Sequence, residues 1–194
     1  RPYPATFMRR KCSHANALNV NLGYDFVTDM LVLEIALDDK RIDTMREGNP
    51  WLPRAAQSLA EALRLAASKE LDIEFSELVT GYRLRKNVHG SFVDVYLYDS
   101  LSSGAGYASN VAKNLMVLLD GVKDLLQNCD CETACHKCLK HYRNQPIHAM
   151  LNRIAALELL NWGVNGSLPD GYSLEQKSQK INSLKYILVA QGYK

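Results

Sequence analysis

The residue pairs that would make this chain an enzyme in its own right are missing. No glycine is followed by lysine anywhere in the 194 residues, so there is no Walker A loop and no self-contained P-loop ATPase. No histidine is followed one or two positions later by glutamate, which removes the H-E-x-x-H and H-x-E zinc-catalysis patterns. A hidden nuclease would need clustered carboxylates; Asp94 and Asp99 flank one strand end, but no Glu/Asp-x-Lys completes a site beside them. His89 has no partner and reads as a turn residue. No apolar run approaches the ~20 residues that span a bilayer. Arg1-Pro2-Tyr3-Pro4 has no apolar signal core, and the first methionine is Met8, which suggests an excerpt of a longer protein. A large charge excess is also absent: the net charge of +2 is not that of a histone-like nucleic-acid binder.

Cysteine is scarce except in one place. Four of the five fall within Cys129-Asp130-Cys131-Glu132-Thr133-Ala134-Cys135-His136-Lys137-Cys138, spaced C-x-C-x3-C-x2-C. Thiolates this dense need a cation to neutralise them, and four soft sulfurs favour a closed, tetrahedral, structural zinc site. An iron–sulfur cluster uses the same ligands, and disulfides or free thiols are the third reading. A reducing, cytoplasmic setting suits clustered thiols best. Cys12-x-His14 is read as an ordinary thiol and its neighbour, because the downstream set is already complete.

What is present is ordinary for a folded chain: 47% hydrophobic and 23% charged residues, enough for one sizeable core. The near-continuous apolar run Phe26 to Leu37 predicts a strand covered on both faces. Ala55, Ala56, Leu59, Ala60, Leu63, Ala66 and Ala67 predict a helix beginning near Pro53. Leu71 to Phe75 alternates like a strand, and residues 79–98 predict a hairpin with a longer loop at Asn87-Val88-His89-Gly90. A leucine-rich stripe predicts one long helix from Gly104 to Gln127, delivering the chain into the cysteines. Further helices follow from Leu151 to Trp162 and, after a Gly/Pro/Asn linker, from a Ser173-x-x-Gln176 capping box. The expected fold is α+β: a mixed or antiparallel sheet packed by helices, with a compact four-cysteine zinc knuckle between two of them. The expected divisions are a basic N-terminal segment 1–24, an α+β zinc-binding domain 25–162, and a linker with an amphipathic helix 163–194.

Two stretches are candidates for ligand contact. The turn at Ser103, Gly104 and Gly106 opens a helix and could cradle a phosphate, or could simply use glycine to turn tightly. Beyond the cysteines, Lys137, Lys140, Tyr142, Arg143, His148 and Arg153 mix cationic and aromatic side chains suited to phosphate and base contact. Asp130, Glu132 and the −2 of a zinc tetrathiolate offset these cations, so any nucleic-acid role lies with the residues and not with the metal.

Taken together, the ordered pieces resemble a known family. They are Thr28-Asp29, Tyr98-Asp99 leading to Gly104-Ala105-Gly106-Tyr107-Ala108, the four cysteines, Cys138-Leu139, Tyr142-x-Asn144-x-x-x-His148 and Leu151-Asn152-Arg153. This set resembles the MrfA-type zinc-binding domain at the C-terminal end of bacterial DEAD/DEAH-type helicases. Related domains occur in DNA-repair helicases, in DrmA and DrmB of DISARM phage defence, and in Druantia. The family often has Asp where this chain has Asn152, and two glycines where it has Ser103-Gly104. The resemblance implies a non-catalytic, Zn2+-binding module with Cys129, Cys131, Cys135 and Cys138 as ligands, DNA as a partner, and a helicase core upstream or on a partner subunit. A docking module that never touches DNA is the alternative.

Overall fold

The computed structural model describes residues 25–38, 48–167 and 174–192, with Gly23 and the backbone of two short strands, β1 (Thr6–Phe7) and β2 (Arg10–Lys11), which pair antiparallel. Cys12, His14 and the Ser173 capping box lie outside the described residues.

The core forms around α1 (Trp51–Leu71). Asn49 starts it, its side-chain oxygen accepting the Trp51 N–H at 2.9 Å. Small residues let other elements approach its axis closely: Ala55, Ala56, Ala60, Ala62 and Ala67 have no exposed surface. On one side lies an antiparallel sheet in the order β3 (Met30–Ala36), β5 (Gly90–Asp99), β4 (Leu78–Asn87). On the other lie α3 (Leu115–Gln127) and α4 (Arg153–Asn165). The Thr80 hydroxyl, 3.1 Å from the Ala60 carbonyl, ties α1 to the sheet. Trp51 and Trp162 tie α4 in place, donating to Glu158 and to the Ala36 carbonyl at 2.9 and 2.6 Å.

Alternation along β5 divides the sheet as expected. Val93, Val95 and Leu97 are buried against α1, while Phe92, Asp94, Tyr96 and Tyr98 occupy the opposite face. The expectation of a first strand covered on both faces is corrected. In β3, Ile35 is buried beside Gly163 of α4 but Met30 and Val32 are 52% and 48% exposed, because β3 is an edge strand and only the face carrying Leu31, Leu33 and Ile35 packs on the core. The expected strand at 71–75 is also corrected. α1 ends at Leu71 with Asp72 left-handed (φ 52), the Asp72 and Ile73 N–H groups bond back to Lys69 and Ser68, and Phe75–Glu77 form a single 3-10 turn. The hairpin turn is two residues, Val88-His89, and not a longer loop, since Asn87 pairs with Gly90.

The single long helix expected from Gly104 is two. α2 (Tyr107–Lys113) and α3 are separated by Asn114, whose φ −113 and ψ 39 are non-helical. The final helix, α5 (Leu174–Ala190), carries exposed Ile181, Tyr186, Ile187 and Val189. No helix among the described residues is long and apolar enough to cross a membrane.

On the outer sheet face the Tyr96 ring lies over Gly81, where an added Cβ would stand 2.5–2.9 Å from ring atoms. Gly81→Ala should cost about 1–3 kcal/mol through overpacking. Chemical denaturation in a double-mutant cycle should show most of that cost vanishing in a Tyr96→Ala background.

Candidate metal centre

The knuckle occupies the gap between the end of α3 and the start of α4. Cys129 follows α3 by two residues; Cys138 and Leu139 then turn into the core, and a 3-10 segment at Tyr142–Ile147 leads to α4. The sulfurs converge. Sγ–Sγ distances are 3.5 Å for Cys129–Cys131 and Cys129–Cys135, 3.7 Å for Cys131–Cys138 and 3.9 Å for Cys135–Cys138, with all four within 4.8 Å of one another. A tetrahedron of Zn–S bonds of ~2.3 Å places sulfurs about 3.8 Å apart. A disulfide would need ~2.05 Å, and the cysteines are free. An iron–sulfur cluster would spread the four thiolates over two or four irons, farther apart than convergence on one point allows. The donor set therefore fits a single zinc-sized ion.

Backbone donors complete the cage. The Cys135 N–H points at Cys138 Sγ at 3.2 Å and the Lys137 N–H at Cys135 Sγ at 3.4 Å. The Lys137 amide, and after it Cys129, pull the Cys135 thiol down to about 7, whereas burial pushes Cys131 up to about 12 and raises Cys138. Cys129 and Cys138 are themselves buried core residues, so the ligand set is part of the hydrophobic interior. Four protein ligands leave no open coordination position, and the chemistry available is structural.

Several side chains singled out in the sequence serve this scaffold. Arg153 donates through Nε to the Cys131 carbonyl at 2.7 Å and through Nη1 to the Leu126 carbonyl at 3.0 Å, and its amide bonds the Thr133 carbonyl. It fastens the knuckle to the last turn of α3, so its guanidinium is spent inside the protein. His148 Nε2 is 2.8 Å from Asn144 Oδ1 and 3.1 Å from the His141 carbonyl, which likewise turns it inward. Lys137, Tyr142 and Arg143 face solvent, Tyr142 at 82% exposure, and Lys140 is half-buried.

The sequence reading missed the polar cluster beneath that surface. Glu61, in the buried stretch of α1, accepts at Oε2 from Arg64 (2.6 Å) and Asn144 Nδ2 (3.2 Å), and His141 Nε2 lies 3.2 Å from the same oxygen and 3.0 Å from Arg64 Nη2. Asn144 also donates to the Leu139 carbonyl at 2.8 Å and accepts the His141 N–H at 2.9 Å. The signal available was the Glu61/Arg64 pair, three residues apart in an otherwise alanine-rich helix.

The candidate phosphate turn is already supplied with an anion. The buried Asp99 carboxylate accepts from the N–H groups of Ala105 (2.6 Å), Tyr107 (3.1 Å) and Ala108 (2.8 Å). An added Cβ at Gly104 would meet Asp29 at 2.9 Å. The phosphate reading at Ser103, Gly104 and Gly106 is therefore corrected to a self-capped corner, because the protein's own carboxylate consumes the donors. Asp94 lies on the opposite sheet face, held below the ordinary carboxylate range by Arg85 first and then Arg83. Asp94 and Asp99 thus do not converge.

Residues 59–139 match the family described as the MrfA Zn-binding domain. The Druantia protein DruE of Escherichia coli (strain UMEA 4076-1) is 37% identical over 183 residues, covering 90% of this chain and 10% of DruE. The chain therefore spans about a tenth of that relative's length. A crystal structure of the DUF1998 helicase MrfA bound to DNA aligns with a TM-score of 0.46 at 21% identity, covering 60% of this chain and 15% of that one. The two departures from the family pattern have local explanations. Asn152 caps α4 by accepting the Ile154 and Ala155 N–H groups, a role Asp fills equally well. Ser103 sits at φ 76, where glycine is the unstrained residue.

Two outcomes are expected. Because metal binding requires thiolates, acidification should release the ion, and chelation near neutral pH should free four thiols. Iodoacetamide labelling read by mass spectrometry should then modify Cys135 first, its thiol being the one pulled down to about 7. Asp99→Ala should destabilise by about 2–4 kcal/mol in urea denaturation by leaving three amides without their acceptor, and Asp99→Asn by less.

Proposed function

We propose that this chain is a zinc-stabilised, non-catalytic accessory domain of a DNA helicase or phage-defence protein, and that the surface beside its knuckle contributes DNA contact. The observation that carries the reading is the closed set of four converging sulfurs, two of them in the core, which makes the metal a fastener. The family resemblance supplies the context: domains of this type accompany helicase motors, and the motor would lie elsewhere in the polypeptide or on a partner. Of the residues first considered for DNA contact, Lys137, Tyr142 and Arg143 are exposed and Lys140 is half-buried, and these four are the contacts we favour.

Neutralising a phosphate releases counterions, so the salt dependence of affinity counts such contacts. Lys140→Ala combined with Arg143→Ala should weaken DNA binding and lower the slope of log K against log salt by about 2. Anisotropy titrations at several salt concentrations measure both quantities, and an unchanged affinity and slope would remove the DNA contact from the proposal.

A second reading, docking to a partner subunit without DNA contact, is favoured by the exposed apolar side chains of α5 and by Met116 and Val117 of α3, 61% and 59% exposed. Absence of DNA binding by the intact chain at low salt, with binding regained only alongside a partner subunit, would move the balance to this reading.

A further inference from the structure

We infer that Tyr142 is a stacking platform for an unpaired base, so that the DNA taken by this surface is single-stranded. The inference rests on the DNA-contact reading above and adds the form of the nucleic acid.

The first observation is the exposure of the ring. Tyr142 is 82% exposed although the chain on either side of it is fastened down. A tyrosine on a loose loop can fold back onto apolar surface. Here the backbone before and after the ring is fixed: Asn144 is buried, its side chain bonded to Glu61, to the Leu139 carbonyl and to the His141 amide. His141 reaches the same Glu61 carboxylate, and the Lys140 amide is bonded to the Cys135 carbonyl of the knuckle at 2.9 Å. Rotation about the side-chain bonds is the freedom left to Tyr142. A ring offered to solvent from a fixed backbone loses little entropy when it meets a flat partner.

The second observation is what surrounds it. The Arg143 guanidinium lies over the Phe75 ring, 5.5 Å from the centroid, and Arg64 lies over the same ring at 5.3 Å. His141 packs against Phe75 with centroids 4.5 Å apart. Phe75 thus steadies Arg143 by a cation–π contact, and the cation stands next to the exposed ring in sequence. Lys140 is the second cation of this turn. An exposed aromatic face with a held cation next to it in sequence suits a strand whose bases are splayed out while its phosphates run alongside. In duplex DNA the base faces are stacked on one another and are not available to the ring, so a duplex would engage only the cations.

The test uses the 194-residue chain with its metal, fluorescein-labelled oligo(dT) and a duplex of equal length. Tyr142→Ala should lower affinity for oligo(dT) by about 5- to 150-fold, the range of one lost base–aromatic stack, while leaving duplex affinity within about twofold. Tyr142→Phe, which keeps the ring, should retain oligo(dT) binding. A 2-aminopurine placed in the oligonucleotide should lose fluorescence on binding to the wild type and recover it with Tyr142→Ala. Metal content and thermal midpoint should match the wild type, since the side chain lies outside the core. Equal losses for single strand and duplex, or no loss for either, would overturn the stacking assignment. If the Lys140→Ala, Arg143→Ala variant still weakens binding in that case, the DNA-contact reading survives without it. A wild-type chain that binds neither DNA form at low salt overturns both.

Discussion

The structure depends on how closely other elements can approach α1. Its alanines bring the sheet to one side and α3 and α4 to the other, and the knuckle closes the end of that packing. One charged group interrupts the apolar surface. Glu61 is buried, and its carboxylate is compensated by Arg64, His141 and Asn144. A buried carboxylate deprived of such partners is strongly unfavourable, so the requirement to satisfy Glu61 fixes the chain beyond the cysteines onto the helix. The surface turn at 140–148 is therefore held twice, by the metal loop before it and by α1 beneath it.

This arrangement separates two roles that the sequence places side by side. Arg153 and His148 sit among the basic and aromatic residues that follow the cysteines, yet both are committed to internal hydrogen bonds. Tyr142 and Arg143, a few positions away, point outward. The family match ends at Leu139, one residue past the last cysteine, so the outward turn lies just beyond the matched stretch.

The parts legible in the sequence were those governed by local chemistry. Cysteine spacing marked the metal loop, alternation sorted the two faces of β5, and the alanine stripe marked α1. What escaped was governed by distance or by covering. The apolar run before Leu37 said nothing about whether Met30 and Val32 would be covered, and they are open because the face they occupy is not packed on the core. Leu71 and Ile73 reach the core from a helix end and the turn after it, while Phe75 lies under Arg64 and Arg143, an outcome that period alone cannot tell from a strand. The leucine stripe runs unbroken through Asn114 because α2 and α3 pack on the same core, which hid the break between them. Glu61 and His141 are eighty residues apart, and no local pattern joins them.

The sulfur geometry also has a redox consequence. Thiols 3.5 to 3.9 Å apart need only a small inward movement to reach disulfide bonding distance. While an ion holds the four thiolates, their electron pairs are engaged and that movement is resisted. Once the ion is gone, an oxidant can join neighbouring sulfurs, and a joined pair cannot accept a metal until it is reduced. An ion held by these four sulfurs would thus be both a fastener and a guard on the oxidation state of its own ligands.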